Sequence, residues 1–539
     1  MRHSGCGARG LLIAALAIAA CLPCAGVARA QTPGQPVAPI PDLQRSSVPQ
    51  FEGSAAIPNP VDGGPAPPRN PFMAPNPRNN IHDDPYMSDT YRLSGPLGDG
   101  DEVSSLNSPP RECGSITFDS AGRIVTVCVG LDRPVLALLD PHTLQTLAAL
   151  PLPARNVSPG SNPFTDFSGG GYFYLDHHDR AVVPTTDRHI LVVAITSAPA
   201  FQVVADYDLS GTIPQGEGIV SVLPDWHGLL WFVTRRGLVG TVDRGSGAVR
   251  AMRLGGEGIS NSFAVDESGG VYIVSDKALY RFDAGPNGGP RVSWRVVYPN
   301  SGIHKPGQSD AGSGTTPTLM GSNWVAITDN ADPMDVVVYR RAIKVKGKRK
   351  HKKHARSAGR RKKAKRKAKA RLVCSAPVFA KGAGSTDNSL IGTNRSLVVE
   401  NNYGYQISAG DLSGGITQPG LTRIDVAKKK PKKGRKGKRR KRPAKFRCRK
   451  AWTSDERAPS VVPKLSLRNG LVYTYTHEPR SDGITAWYLT ALDFRTGRTV
   501  YRRLSGTGFG FNNNYAPVTL GPDGTAYVGV LGGVVAFPG

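Results

Sequence analysis

Oxygen-bearing and amide side chains follow several apolar runs of this sequence, where they could bind a ligand. Carboxylate and carboxamide oxygens are the ligands that calcium prefers, and the same groups form hydrogen bonds with a sugar or another polyol. Asn and Asp are also common turn residues, so a purely structural role is the alternative. The residues concerned are Asp166, His304, Asp310, Asp329, Asn330, Asp387, Asn388, Glu400, Asn401, Asn402, Tyr403, Asn512, Asn513, Asn514 and Tyr515.

Glu400 and Asn402 are the members of this set with the strongest sequence context. They end the apolar run at residues 397–399, and we expect both side chains to point inward. Two histidine clusters, at residues 82–84 and 177–179, are weaker metal-site hypotheses because neighbouring histidines on a strand or turn point apart. The sequence has no Ser-His-Asp order, HExxH motif, P-loop or dinucleotide fingerprint.

A repeated unit of short apolar runs and turns must position these residues. The clearest copy is APVTLGPDGTAYVGVLGGVVAF at residues 516–537. Turns equivalent to its Gly-Pro-Asp-Gly occur near residues 121, 178, 227, 269, 321, 393 and 469, and the two widest intervals each contain a basic tract. The pattern predicts an all-β protein, a single β-propeller with eight four-stranded blades, or with seven as the alternative.

The last repeat ends after three strands, so the ring needs a strand from elsewhere. We expect an N-terminal strand near Tyr91 to complete the last blade and remove an exposed sheet edge. In a propeller, the loops that join successive blades and the loops between second and third strands lie on one face. The oxygen-bearing residues above are therefore predicted to share that face.

The N-terminal region has the composition of an export signal followed by a linker. Arg2 and Arg9 precede a short apolar run, and residues 28–30 offer small residues for cleavage, so we predict a signal peptide at 1–30 and a secreted protein. A lipoprotein acylated at Cys21 is the alternative. We expect a Pro-rich disordered linker at 31–80 and the propeller at 81–539.

Four cysteines follow the predicted signal peptide. Cys113 and Cys128 lie symmetrically about a predicted hairpin turn, so we expect them to form a disulfide. Cys374 and Cys448 occupy matching places in two successive repeats, and the sequence leaves open whether their Cα atoms approach within the roughly 7 Å that a disulfide needs.

The net charge of +28 is concentrated in two tracts. Residues 340–371 contain 19 Lys or Arg and residues 428–450 contain 16, with no acidic residue in either tract. The rest of the chain has 34 basic and 41 acidic residues, a net charge of −7. Both tracts fall between predicted third and fourth strands, so we expect disordered basic insertions side by side, away from the oxygen-bearing face.

One segment carries a family resemblance. Residues 491–501, ALDFRTGRTVY, resemble the A-x-D-x-x-T-G-x-x-x-W segment of quinoprotein-like propellers, with Tyr501 in place of tryptophan, and residues 241–247 match more loosely. The repeat body is also similar to secreted actinobacterial propellers. The resemblance implies the propeller fold. Quinoprotein dehydrogenases also have an adjacent cysteine pair and a tryptophan in most blades, which this chain lacks, and this argues against a quinone (PQQ) cofactor.

Two classes of function fit these observations. The first is a monomeric binding or scaffold module whose basic tracts adhere to anionic envelope polymers or a lipid surface, with a small polar or sugar ligand on the oxygen-bearing face and no specific nucleic-acid recognition. The second is a propeller enzyme that uses the face around Glu400, either a calcium-dependent hydrolase or lactonase or a degenerate quinoprotein oxidoreductase. The sequence does not decide whether the protein is an enzyme.

Overall fold

The computed structural model describes residues 37–108, 111–131, 133–155, 162–166, 168–345, 368–408, 410–429 and 444–539. The predicted signal peptide, the Cys21 acylation site and most of both basic insertions lie outside these residues. Within the described ranges, no helix combines the length and the apolar character needed to cross a membrane.

The described chain forms eight sheets arranged in a ring, as predicted. Each blade runs from an inner first strand to an outer fourth strand, and three strands come from the N-terminal region: β1 (Phe51–Gly53), β2 (Thr90–Tyr91) and β3 (Ser104–Asn107). Blades 1 to 4 contain β4 (Arg111–Phe118), β5 (Ile124–Gly130), β6 (Val135–Leu139), β7 (Thr146–Pro151), β8 (Tyr174–Leu175), β9 (Ala181–Pro184), β10 (His189–Ile195), β11 (Phe201–Asp208), β12 (Ile219–Pro224), β13 (Leu230–Thr234), β14 (Leu238–Val242), β15 (Val249–Arg253), β16 (Ala264–Val265), β17 (Val271–Val274), β18 (Ala278–Ala284) and β19 (Pro290–Val297).

The remaining blades follow the same plan, with adjacent strands antiparallel. Short 3-10 helices span Arg45–Ser47, Pro163–Thr165 and Phe509–Phe511. Blades 5 to 8 contain β20 (Thr318–Met320), β21 (Trp324–Thr328), β22 (Asp335–Arg340), β23 (Leu372–Pro377), β24 (Ile391–Thr393), β25 (Ser396–Glu400), β26 (Leu421–Lys428), β27 (Phe446–Ser454), β28 (Lys464–Ser466), β29 (Leu471–Thr476), β30 (Ala486–Asp493), β31 (Thr499–Thr507), β32 (Val518–Leu520), β33 (Ala526–Val530) and β34 (Gly533–Phe537).

Apolar alternation and turn chemistry explain why these residues form blades. Middle strands such as β13 and β17 are buried throughout, because their two faces pack against the neighbouring blades. Outer strands such as β19 alternate between exposed and buried residues.

The segment that resembles quinoproteins is a turn with its two flanking strands. The side-chain Oδ1 of Asp493 accepts hydrogen bonds from N and Oγ1 of Thr496, at 2.7 and 2.8 Å, and Gly497 follows with a φ of 74°. Asp243 and Ser246 make the same contacts between β14 and β15. The Asp and the Ser or Thr fix the turn through side-chain bonds, and Gly allows the positive φ.

An N-terminal strand closes the ring, but the strand predicted for this role was wrong. β3 pairs antiparallel with β34 and becomes the fourth strand of blade 8. Thr90–Tyr91 instead forms β2, which pairs parallel with β28 at the inner edge of blade 7. β3 has a weak strand signal because Leu106 is its only large apolar residue, and that residue is buried at 5% exposure.

The described part of the expected linker, residues 37–80, lies against the propeller. β1 pairs with β31 outside blade 7, while Asn70 and Met73 are fully buried. The segment shows no apolar periodicity of its own because the residues it packs against and pairs with lie in the blades. It is therefore part of the folded body, which differs from the disordered linker expected from its proline content.

Candidate functional site

The N-terminal chain occupies the propeller channel. We call residues 70–93 the plug segment and the face with the loops between successive blades the loop face. Main-chain oxygens of the plug segment accept hydrogen bonds from the first strands of five blades. The donors are the N–H groups of Leu175, Val265, Leu319, Gly392 and Leu465.

A buried ionic cluster ties the plug segment to blade 7. Lys464 Nζ lies 2.6 Å from Asp89 Oδ1 and 3.1 Å from Asp83 Oδ2. Burial lowers the pKa of Lys464, but the two carboxylates outweigh it and hold that pKa above its usual value. Burial raises the pKa of Asp89 on its own, yet Lys464 and His82 hold it below the usual range. The cluster therefore has a structural function, because both charges are satisfied internally.

The plug segment also places a serine, a histidine and an aspartate together, but not as a catalytic triad. Ser389 Oγ and Asp89 Oδ1 contact the same ring nitrogen, Nδ1 of His82, at 3.1 and 3.0 Å. A Ser-His-Asp triad needs the serine and the carboxylate on opposite ring nitrogens. The three side chains are buried, so they stabilise the plug segment.

The side chains of Glu400 and Asn402 point inward, where they are hydrogen-bonded to each other. Glu400 is 1% exposed, and its Oε1 accepts hydrogen bonds from Asn388 Nδ2 at 2.7 Å and Asn402 Nδ2 at 2.9 Å. Thr474 Oγ1 lies 3.3 Å from Oε2. Burial raises the pKa of Glu400 well above its usual value. This carboxyl group is enclosed by protein donors rather than presented to a ligand.

Two further predicted carboxylates are also held by the protein. Asp387 is 6% exposed, and its Oδ2 accepts a hydrogen bond of 2.6 Å from Ser309 N. Asp329 accepts hydrogen bonds from the N–H groups of Ala331 and Asp335. Burial raises the pKa of both groups to about 7.

The other predicted residues bond mainly to the loops that contain them or to neighbouring loops. Their side chains fix loop conformation, as the alternative structural role predicts. These contacts join Asp166 to Ser168, His304 to Gln308, Asn330 to Asn300, Asn401 to Ser385 and Tyr403, Asn512 to Leu412, Asn513 to Gly529 and Asn514 to Phe164.

Neither histidine cluster forms a metal site. Among the described residues, no group of three or more His, Cys, Asp or Glu side chains could hold a metal ion. His177 packs edge-on against Phe72 of the plug segment, and the N–H of His178 binds the turn residue Asp176.

A cavity of about 210 Å³ lies at the loop face between blades 1, 2 and 8. Asp166, Asn514 and Tyr515 of the predicted set line it, together with Glu112 and Arg155, which sequence reasoning missed. Glu112 is the second residue of β4, where a charged residue near a strand end normally indicates exposure to solvent. Most of the wall is apolar, formed by Val127, Val129, Phe164, Ala516, Pro517 and Leu531.

The two disulfides connect strands in different ways. Cys113 and Cys128 face each other across β4 and β5, as predicted. Cys374 and Cys448 also pair, with a Cα–Cα distance of 5.4 Å. The doubt about this distance is resolved because β23 and β27 are the outer strands of adjacent blades. β23 follows the first basic tract, and β27 begins within the last part of the second.

The described ends of the basic tracts are therefore close together. Trp324 of blade 5 packs edge-on against Phe446, which begins β27, with ring centroids 4.9 Å apart. Lys429 N donates to Lys445 O across the base of the second tract, and Arg371 Nη1 donates to Arg340 O across the base of the first. The chain thus enters and leaves both tracts from one region of the ring.

The raised carboxyl pKa values predict that stability falls from pH 5 to pH 8. Burial raises the pKa of Asp84, Asp329 and Asp387 to about 7 and that of Glu112 to about 8, against about 4 in an unfolded chain. The folded state then binds more protons in this interval, so each group costs up to about 1.4 kcal/mol per pH unit as pH rises.

Thermal unfolding at pH 5 and pH 8 checks this expectation. The melting temperature should be higher at pH 5, and Asp387→Asn should flatten the dependence. His477 and His177, whose pKa values burial lowers, act in the opposite direction, but the carboxyl groups with a raised pKa outnumber them. A melting temperature that rises from pH 5 to pH 8 would contradict the burial of these groups.

Comparison with known proteins gives distant similarities. No protein-family model matches the chain. An uncharacterised protein of Archaeoglobus fulgidus is 30% identical over 344 residues, which are 59% of this chain and 60% of that protein. The chain therefore spans less than two thirds of the length of this curated relative.

Solved propellers are similar at low identity. BamB from Moraxella catarrhalis is 14% identical, with 81% of this chain and 99% of that chain covered and a TM-score of 0.39. Sqt1 from Saccharomyces cerevisiae is 9% identical, with 73% and 84% covered and a TM-score of 0.37. The assignment of the fold rests on the strand pairing of this chain itself.

Proposed function

We propose that this protein is an exported, non-catalytic propeller that acts as a scaffold or binding module and adheres to anionic polymers of the cell envelope through its two basic tracts. The Cys374–Cys448 disulfide is the observation that supports the proposal most directly. It joins β23, which follows the first tract, to β27, which begins within the last part of the second, and so supports a position of both tracts at one region of the ring.

The distribution of charge supports the same function. The tracts contain 35 basic residues and no acidic residue, while the rest of the chain has a net charge of −7. An anionic polymer is attracted to the tracts and repelled by the acidic body, so it binds in one orientation. Because the two tracts are adjacent, binding of a polymer to one tract raises the effective concentration of that polymer at the other.

The carboxylates on which an enzyme would depend do not favour catalysis. Glu400 and Asp387 are buried and hydrogen-bonded to the protein, and the plug segment occupies the channel. The residues of the quinoprotein-like segment fix the turn between β30 and β31, so the resemblance has a structural explanation. Export through the predicted signal peptide is part of the proposal, with a lipoprotein acylated at Cys21 as the alternative. Both rest on the sequence alone.

Retention on isolated cell-wall material tests the proposed function. The full-length protein should be retained at low salt and released as salt increases. A variant with Gln and Ser in place of the Lys and Arg residues of 346–367 and 430–443 should not be retained. A variant with the same tract residues in scrambled order is the matched control, and it should bind like the native protein because charge, not sequence, determines the affinity. Retention that is independent of salt would contradict the proposal.

A further inference from the structure

The cavity between blades 1, 2 and 8 has a mainly apolar wall and one carboxyl group, that of Glu112, with hydrogen-bonding capacity left for a ligand. Glu112 Oε1 accepts a hydrogen bond of 2.8 Å from Asn514 N. Within the described residues, this is the only hydrogen bond to the Glu112 side chain. The neighbouring wall residues Val127, Val129 and Leu531 offer no polar side-chain atom. One carboxyl oxygen of Glu112 is therefore available to a ligand.

The carboxyl group of Glu112 is a hydrogen-bond donor at neutral pH. Burial raises its pKa to about 8, so the proton is retained at pH 7. With Oε1 accepting from Asn514 N, the proton lies on Oε2, which can donate to an oxygen atom of a ligand.

Arg155 does not make the cavity an anion site. Its Nη1 donates to Gly130 O at 3.0 Å, and its Nη2 donates to Pro163 O and Asp166 O at 2.8 and 2.7 Å. Its Nε is inaccessible. Asp166 also lines the cavity, and its Oδ2 lies 3.8 Å from Arg155 Nη2. Asp166 therefore offsets the charge of Arg155, and a ligand carboxylate would find few free donors there.

We propose that this cavity binds a neutral, mainly apolar small molecule with a carbonyl or ether oxygen, to which the Glu112 carboxyl group donates a hydrogen bond. The volume limits the size of the ligand. A cavity of about 150 Å³ holds benzene, so about 210 Å³ fits one aromatic ring with a small substituent. This site is independent of the basic tracts, and it extends the function proposed above to a ligand of defined chemistry.

Acetophenone is a suitable probe because it is an aromatic ketone of this size. Ligand-observed NMR titration of the full-length protein should detect acetophenone binding. Ethylbenzene, which lacks the oxygen, and benzoate, which is anionic, should each bind about tenfold more weakly. The variant with neutralised tracts should bind acetophenone like the native protein, so a failure of the adhesion proposal does not affect this result.

Variants of the cavity complete the test. Glu112→Gln retains a donor and should keep the affinity within about threefold, whereas Glu112→Leu should weaken it about tenfold. Leu531→Trp should abolish binding by filling the cavity without touching the carboxyl group. Melting temperatures verify that each variant is folded. The proposal is overturned if the native protein does not bind acetophenone, if benzoate binds equally well, or if neither Glu112→Leu nor Leu531→Trp weakens binding.

Discussion

Replacement of Lys464 by Ala is expected to destabilise the protein by about 3–5 kcal/mol, the usual cost of removing one partner of a buried ion pair. Lys464 is fully buried, and its Nζ donates to the carboxylates of Asp83 and Asp89 and to Ile81 O. Without the ammonium group, the carboxyl groups of Asp83 and Asp89 remain buried without their cationic partner. The plug segment then loses its ionic contact with blade 7.

Denaturant unfolding of the variants measures this effect. Lys464→Met keeps most of the side-chain volume and should remain strongly destabilised, which separates the lost charge from the lost packing. Lys445→Ala is the matched control, because Lys445 is an exposed lysine at the base of the second tract, and its cost should stay within about 0.5 kcal/mol. A loss below about 1 kcal/mol for Lys464→Ala would contradict the structural importance of the cluster.

Insertion of a charge into the closing strand should have an effect of similar size. Leu106 of β3 packs with Tyr527 and Val534 of blade 8. Leu106→Asp removes that packing and buries an unpaired carboxylate, so we expect a loss of at least about 3 kcal/mol. Opening of blade 8 also exposes an unpaired edge at β34.

β1 offers a matched control for the closing strand. Phe51 is 36% exposed and lies in a strand added outside a blade that is already complete. Phe51→Asp should therefore cost much less than Leu106→Asp. If thermal unfolding gives Leu106→Asp the same melting temperature as the native protein within about 1 °C, β3 does not close the ring.

The fold could be predicted because each blade repeats a local signal. Turn residues at nearly constant spacing gave the correct number of blades, and symmetric placement about a turn gave the Cys113–Cys128 pair. Closure of the ring depends on a long-range pairing instead. Thr90 and Tyr91 have a stronger strand signal than β3, but the chain must cross the channel before it reaches the edge of blade 8, and nothing local encodes that path.

The site was less predictable for a related reason. Asp, Asn and Glu after apolar runs were recognised as a set, yet the sequence does not distinguish side chains that bind a ligand from those that bind their own loop, as Glu400 and Asn402 illustrate. Glu112 was missed because its surroundings come from distant parts of the chain. Phe164 and Leu531 reach it only after the ring has closed.

The salt dependence of binding to a defined anionic polymer tests the central claim most directly. Calorimetric titration with long-chain polyphosphate at several salt concentrations gives the slope of log K against log salt, which grows with the number of ionic contacts. We expect a steep negative slope for the native protein, a shallower slope when either tract is neutralised, and no detectable binding when both are neutralised. A slope near zero for the native protein, or unchanged binding after neutralisation of both tracts, would contradict the proposed function.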